Sequence, residues 1–229
     1  MDALSVDGLT RRFGNLVVLD GVSFTVQPGQ VGAVLGANGS GKTTLLRCVV
    51  GADRPDEGVV TVGGRRIYET DAWARSIMAA ALDDIDFFPD LSVAEHLALL
   101  AYAHGDGGDP VEEVLAELGL APARDQLPIT LSSGQRRRLA LASCLVRPRR
   151  VLILDEPEQR LDVDGRAWLT ERLLREKAAG TAVLMASHDA ELVDAVADVR
   201  IGIGGCQAAA RPSQAGARLE AAEVRGRGL

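Results

Sequence analysis

Gly36-Ala37-Asn38-Gly39-Ser40-Gly41-Lys42-Thr43-Thr44 is the stretch on which the reading of this chain turns. Its spacing is G-x-x-x-x-G-K-[ST]. An apolar run, Val31 to Leu35, precedes it, and an apolar-periodic segment, Thr43 to Val50, follows. Strand, glycine loop and helix in that order make a phosphate cradle. Gly36, Gly39 and Gly41 let the backbone wrap an anion with no Cβ in the way. The successive N–H groups of Asn38, Ser40 and Thr44, together with the helix opening, present positive potential to it. Lys42 is expected on the β- and γ-phosphates and the Thr43 hydroxyl on Mg²⁺. A glycine turn with an incidental lysine would not need the strand before it and the helix after it, so a nucleoside triphosphate site is predicted.

A second run supplies the acids that such a site needs. Val151-Leu152-Ile153-Leu154-Asp155-Glu156-Pro157 is an apolar strand ending in two carboxylates. Mg²⁺ takes hard oxygen ligands, which suits Asp155 as a metal ligand beside Thr43. Glu156, one residue on, is placed to act as general base on an attacking water.

Upstream, Leu131-Ser132-Ser133-Gly134-Gln135 opens a helix just before that strand. A helix N-terminus bearing a serine hydroxyl and a glycine backbone is an anion site. At this point the chain resembles the ABC ATPase family, whose signature reads LSGGQ. The resemblance implies that Ser132, Ser133, Gly134 and Gln135 cap the γ-phosphate of a partner's ATP across a head-to-tail dimer. It also implies that Leu161-Asp162 ends a loop touching the opposite subunit and that His188, in Ser187-His188-Asp189, contacts the γ-phosphate. Phe13 is implied as the aromatic that stacks on adenine. The match runs in order over residues 4 to about 205.

The chain departs from that pattern at three places. The family usually carries a glutamine at the start of its helical insert, and Asp83 stands there; no glutamine occurs between residues 31 and 125. Asp83 is therefore expected as a harder, shorter Mg²⁺ ligand. Ser133 replaces the first glycine of the signature pair. Glu158-Gln159-Arg160 precedes Leu161-Asp162, where small residues are usual.

The expected fold is an α/β P-loop NTPase core with an N-terminal antiparallel β region and an inserted α-helical subdomain. Strands are predicted at 16–26, 31–35, 59–62, 151–154, 181–186 and 199–203. Helices are predicted at 43–50, after Ser92, at 111–118, after Ser132, at 167–178 and at 190–197. One ATPase domain spans 1–205, its core at 1–73 and 148–205 and its helical subdomain at 74–147. Residues 206–229, rich in Ala, Arg and Gly, are expected as a weakly ordered tail. Phe87 to Leu100 reads either as a coupling surface or as the insert's own core. Arg136 to Arg138 reads as a solvated helix face.

Bulk composition bounds the function. The formal charge is −7, with lysine only at 42 and 177, which excludes nucleic-acid binding by bulk electrostatics. An ABC ATPase acting on ribosomes or DNA is disfavoured by that charge and by the lack of heptads. A guanine-specific N-K-x-D motif is lacking as well. Cys48, Cys144 and Cys206 lack metal-ligand spacing and read as reduced structural thiols. No run reaches the roughly 18 to 20 apolar residues needed to span a bilayer. The expectation is a cytoplasmic ATPase subunit that binds ATP and Mg²⁺ and pairs with a second ATPase subunit. It would sit at the inner face of the membrane through a polytopic permease and drive translocation, with export favoured.

Overall fold

The computed structural model describes residues 3–67, 71–82, 86–105 and 110–204. The predicted tail, Asp83 and Cys206 lie outside them. Two sheets organise the chain. Strands β1 (Leu4–Phe13) and β2 (Leu16–Val26) form an antiparallel pair, and β4 (Glu57–Val62) and β5 (Arg65–Arg66) extend it in the order β2-β1-β4-β5. The second sheet is parallel and is built from β3 (Val31–Leu35), β6 (Met78–Ala81), β7 (Val151–Asp155), β8 (Ala182–Ala186) and β9 (Val199–Gly202). Its order is β6-β7-β8-β3-β9. Every residue of β7 and β8 is buried, as expected for parallel strands covered on both faces.

Alternate residues of those strands enter two different cores. Val34, Ile153 and Leu184 pack with α1 (Lys42–Val50) and the inner face of the antiparallel sheet, against Leu4, Leu9, Leu45 and Leu46. Ala33, Leu154 and Met185 face the other side. There they meet α5 (Ser133–Leu145), α6 (Val163–Ala178) and α7 (Ala190–Val196), with α3 (Val93–Ala103) and α4 (Val111–Glu117) completing the layer. The period-two alternation of strand side chains is what divides one sheet between two cores.

Met78-Ala79-Ala80-Ala81 corrects the sequence reading. Residues 74–147 were expected to be helical, yet after the short α2 (Ala72–Ile77) the chain enters the parallel sheet as β6 and pairs in register with β7. Alanine is a strong helix former, but Ala79 and Ala81 are fully buried and face one core while Met78 faces the other. Pairing and burial outweigh propensity here. Helix α6 starts at Val163, earlier than the periodicity alone indicated, because the Asp162 carboxylate accepts from the Gly165 N–H at 3.0 Å and caps it.

A charged cluster ties α4 to the core. Glu117 accepts from Trp168 Nε1 at 3.1 Å and from Arg172 at 2.9 Å, and pairs with Arg175. Glu176, 4% exposed, is bound by Arg149 and Arg172. Burial pushes the Glu176 carboxyl up, but the two guanidinium groups outweigh it and hold the group below the usual carboxylate range. Cys48 and Cys144 are free and buried, and burial raises both thiols to about 11, as befits inert packing residues. Among the described residues no helix is long and apolar enough to cross a membrane.

Candidate nucleotide site

Three neighbouring parallel strands, β7, β8 and β3, deliver the site. Each ends at the same edge of the sheet: β3 runs into the glycine loop, β7 into Asp155-Glu156, and β8 into Ser187-His188. Ligands of open α/β sheets bind at this carboxyl edge. The glycines are required by shape. A Cβ on Gly36 would stand 2.4 Å from Ser40 Oγ and 2.9 Å from the Ile203 carbonyl. Gly41, the N-cap of α1, has φ +100° and would set a Cβ 2.7 Å from Val18 Cγ1.

The loop borders a cleft of about 400 Å³ lined by Val18, Asn38, Gly39, Gly41, Lys42, Thr43, Thr44 and Glu156. Lys42 is 6% exposed, and its Nζ donates to the Gly36 and Ala37 carbonyls at 3.0 and 3.3 Å. The same ammonium is 3.7 Å from Glu156 Oε1. Thr43 Oγ1 donates to Asp155 Oδ2 at 2.6 Å, and Asp155 is 1% exposed. One buried carboxylate and one hydroxyl at that separation suit Mg²⁺, which binds through one or two protein oxygens and fills its octahedron with water and phosphate. Among the described residues no cluster of three or more His, Cys, Asp or Glu side chains competes as a metal site.

Glu156 has a left-handed backbone, φ 44°, while its N–H donates to the Ala186 carbonyl at 2.8 Å. A non-glycine residue held there costs on the order of 1 kcal/mol and persists because its surroundings fix it. Its carboxylate is enclosed. Oε2 accepts from the Gln159 carboxamide and lies 3.3 Å from His188 Nδ1. His188 itself is more than half exposed.

The remaining predicted residues are placed as follows. Ser132 caps α5, its Oγ accepting from the Gln135 N–H at 3.2 Å and its own N–H donating to Gln135 Oε1 at 2.9 Å. Ser132 and Ser133 are exposed. Neither they nor Gly134 and Gln135 border the cleft beside the glycine loop, so the fold leaves this helix start outside the cleft. Phe13 is 48% exposed at the end of β1 with the Arg11 guanidinium 4.5 Å over its ring, and it stands outside the cleft lining, which includes Val18.

Sequence reasoning missed two features. Arg137 is buried, against the expectation of a solvated face: Arg136 is exposed, but Arg137 donates to the carbonyls of Asp155 and Pro157 and so braces the carboxylate end of β7 from α5. A run of three arginines hides which one turns inward, since helical phase decides it. The other is Glu158, marked in the sequence only as a departure from the small residues usual before Leu161-Asp162; it is 3% exposed and bonded to Ser187.

A family model described as ABC transporter matches residues 19–159. The sulfate/thiosulfate import ATP-binding protein of Chromobacterium violaceum is 37% identical over 199 residues, covering 85% of this chain and 54% of that protein. The SkfA peptide export ATP-binding protein of Bacillus subtilis is 32% identical over 202 residues, covering 86% of this chain and 84% of its own length. The chain spans about half the length of the first of these relatives and of the spermidine/putrescine import protein of Pseudomonas aeruginosa. A solved ATP-binding subunit of an ABC transporter superposes with a TM-score of 0.83 at 25% identity, covering 93% of this chain and 90% of that one. A dimeric ATP-binding cassette bound to ADP and Pi shares the fold, with a TM-score of 0.79 at 20% identity.

Proposed function

This chain belongs to the ABC transporter family of ATP-binding subunits, and on that premise we propose that it binds and hydrolyses MgATP to power a separate membrane permease. The observation that carries the reading is the convergence of Lys42, Thr43, Asp155, Glu156 and His188 at one edge of three adjacent parallel strands. Backbone N–H groups of Gly39 to Thr44 and the opening of α1 hold the phosphates, and Lys42 exchanges its two carbonyl partners for phosphate oxygens. Thr43 and Asp155 would hold Mg²⁺, which when bound would neutralise charge on the phosphate oxygens. Glu156 orients the attacking water and takes its proton, and His188 contacts the γ-phosphate.

Ser132, Ser133, Gly134 and Gln135 lie outside the chain's own cleft, so the reading requires a second ATPase subunit to bring its signature to this nucleotide, and this signature to the partner's. Phe13 offers one ring face to adenine, since Arg11 covers only the other. We assign Asp83 to the metal on sequence grounds alone. We place the domain at residues 1–205, with the helical insert after β6. Its Phe87–Leu100 segment divides: Val93 and Leu97 are buried, while Phe88 and Leu99 are exposed. Those two side chains form the surface offered to the permease, which would hold the subunit at the cytoplasmic membrane face. Relatives named for import and for export match at similar identity, so the preference for export finds no support in this domain, and direction belongs to the permease.

The test is Glu156→Gln. ATP binding should persist within a few-fold, while phosphate release falls on the order of a thousandfold. Turnover close to the unaltered chain would remove Glu156 from the general-base role. Co-purification of the tagged chain with a stoichiometric polytopic membrane protein tests the partner assignment.

A further inference from the structure

Burying a carboxylate oxygen without a partner is costly, and Glu158 Oε2 is in that position. The residue lies in the turn between β7 and α6. Its other oxygen, Oε1, accepts from Ser187 Oγ at 2.5 Å. Ser187, 1% exposed, in turn accepts from the Asp189 N–H at 3.1 Å, so Glu158 grips the turn that carries His188. Two carboxylates then face one ring nitrogen. His188 Nδ1 is 3.3 Å from Glu156 Oε2 and 3.9 Å from Glu158 Oε1.

A neutral imidazole has one N–H and bonds one of these acceptors at a time. Glu156 also carries the Gln159 carboxamide and lies near Lys42. A water presented to Glu156 therefore competes with His188 for the same carboxylate. The neighbouring Asp189 carboxylate is engaged elsewhere: its Oδ1 accepts from the Leu192 N–H, and its Oδ2 faces Arg166 at 3.8 Å. We propose that Glu158 is a positioning residue that receives the His188 Nδ1–H when Glu156 turns to the water. It would keep the imidazole in the Nδ1–H tautomer, so that Nε2, directed away from both carboxylates, is an acceptor that meets the γ-phosphate through a water. The move from 3.9 Å to a bond near 2.8 Å needs about 1 Å of side-chain adjustment. Oε1, the oxygen nearer His188, already accepts from Ser187 Oγ, and its second lone pair can take another donor. This inference rests on the ATPase reading above and concerns how its histidine is held.

The variant Glu158→Gln keeps an acceptor for Ser187 but can turn an NH₂ toward Nδ1. It should lower kcat about tenfold with KM for ATP and the thermal midpoint unchanged, and Glu158→Asp should recover part of the loss. The tautomer is read by ¹⁵N NMR of histidine-labelled protein without nucleotide, in a Glu156→Gln background; the chain has three histidines, which simplifies assignment. There His188 should remain the Nδ1–H form, and adding Glu158→Gln should shift it to Nε2–H. The same tautomer with and without Glu158→Gln overturns the proposal. So does an unchanged kcat, or a loss of kcat explained by a loss of folded protein. An unaltered chain that hydrolyses no ATP would instead sink the ATPase reading, while the tautomer comparison would still decide the role of Glu158.

Discussion

Helices α3 and α5 begin with the same capping box, and one charge separates their uses. Ser92 Oγ accepts from the Glu95 N–H at 3.3 Å while its N–H donates to Glu95 Oε2 at 2.8 Å. Ser132 and Gln135 repeat both bonds at 3.2 and 2.9 Å. Glu95 sets a carboxylate on the positive end of α3, and the Ser92 N–H, helped by its hydroxyl, holds that carboxyl below the usual carboxylate range. Gln135 closes the box with a neutral amide, and α5 has no acidic residue in its first turn. One helix start is therefore electrostatically complete within the chain, and the other keeps positive potential for an anion brought to it. Cap geometry is the same at the two helix starts, and first-turn charge is what separates them.

Converting the second start into the first is the strongest way to break the comparison. Gln135→Glu should preserve the box and the thermal midpoint, yet lower ATP turnover by at least about tenfold by placing a carboxylate where the partner's phosphate is to dock. Undiminished phosphate release would mean that this helix end meets no phosphate. Removing the caps gives a smaller effect that separates the two roles. Ser92→Ala and Ser132→Ala should each cost about 1 kcal/mol in urea unfolding. Only the second should also reduce turnover per folded molecule, and equal turnover in both would erase the functional difference.

The smallest effect is a pH dependence. Because the folded-state pKa of Glu95 is depressed, its contribution to stability is present above the unfolded carboxyl value and is lost as pH falls through the folded one. Glu95→Gln should therefore flatten the acid side of the urea midpoint curve between about pH 3 and 7, whereas Gln135 gives α5 no such slope. A constant offset between the two curves would contradict the assignment.

Much of the fold could be read along the chain because its signals are local. The glycine loop, the all-apolar β7 run and the serine caps of α3 and α5 each act within a few residues, and the strand and helix found at 31–35 and 42–50 follow from them. β6 escaped because its strand character lies in its neighbour: three alanines say helix until β7 pairs with them and one core claims Ala79 and Ala81. Arg137 escaped because burial on a helix depends on what packs against it, here the carbonyls ending β7. Phe13 was matched by order along the chain, which carries no information on its distance from the cleft.

What the sequence alone determined is therefore chemical identity and local conformation: a glycine loop between strand and helix, two adjacent carboxylates ending an apolar strand, and a neutral serine-capped helix start. Each depends on residue type at fixed spacing, and backbone geometry over a few residues is enough to realise it. Only the tertiary structure decided which of these groups meet. Parallel pairing of β7, β8 and β3 aligned Thr43 with Asp155 and set His188 before both Glu156 and Glu158, from segments more than a hundred residues from the loop in the first case and about thirty apart in the second. The same packing left the signature serines exposed outside the cleft. Such contacts arise from strand order and core burial, which are non-local, so no window of sequence contains them.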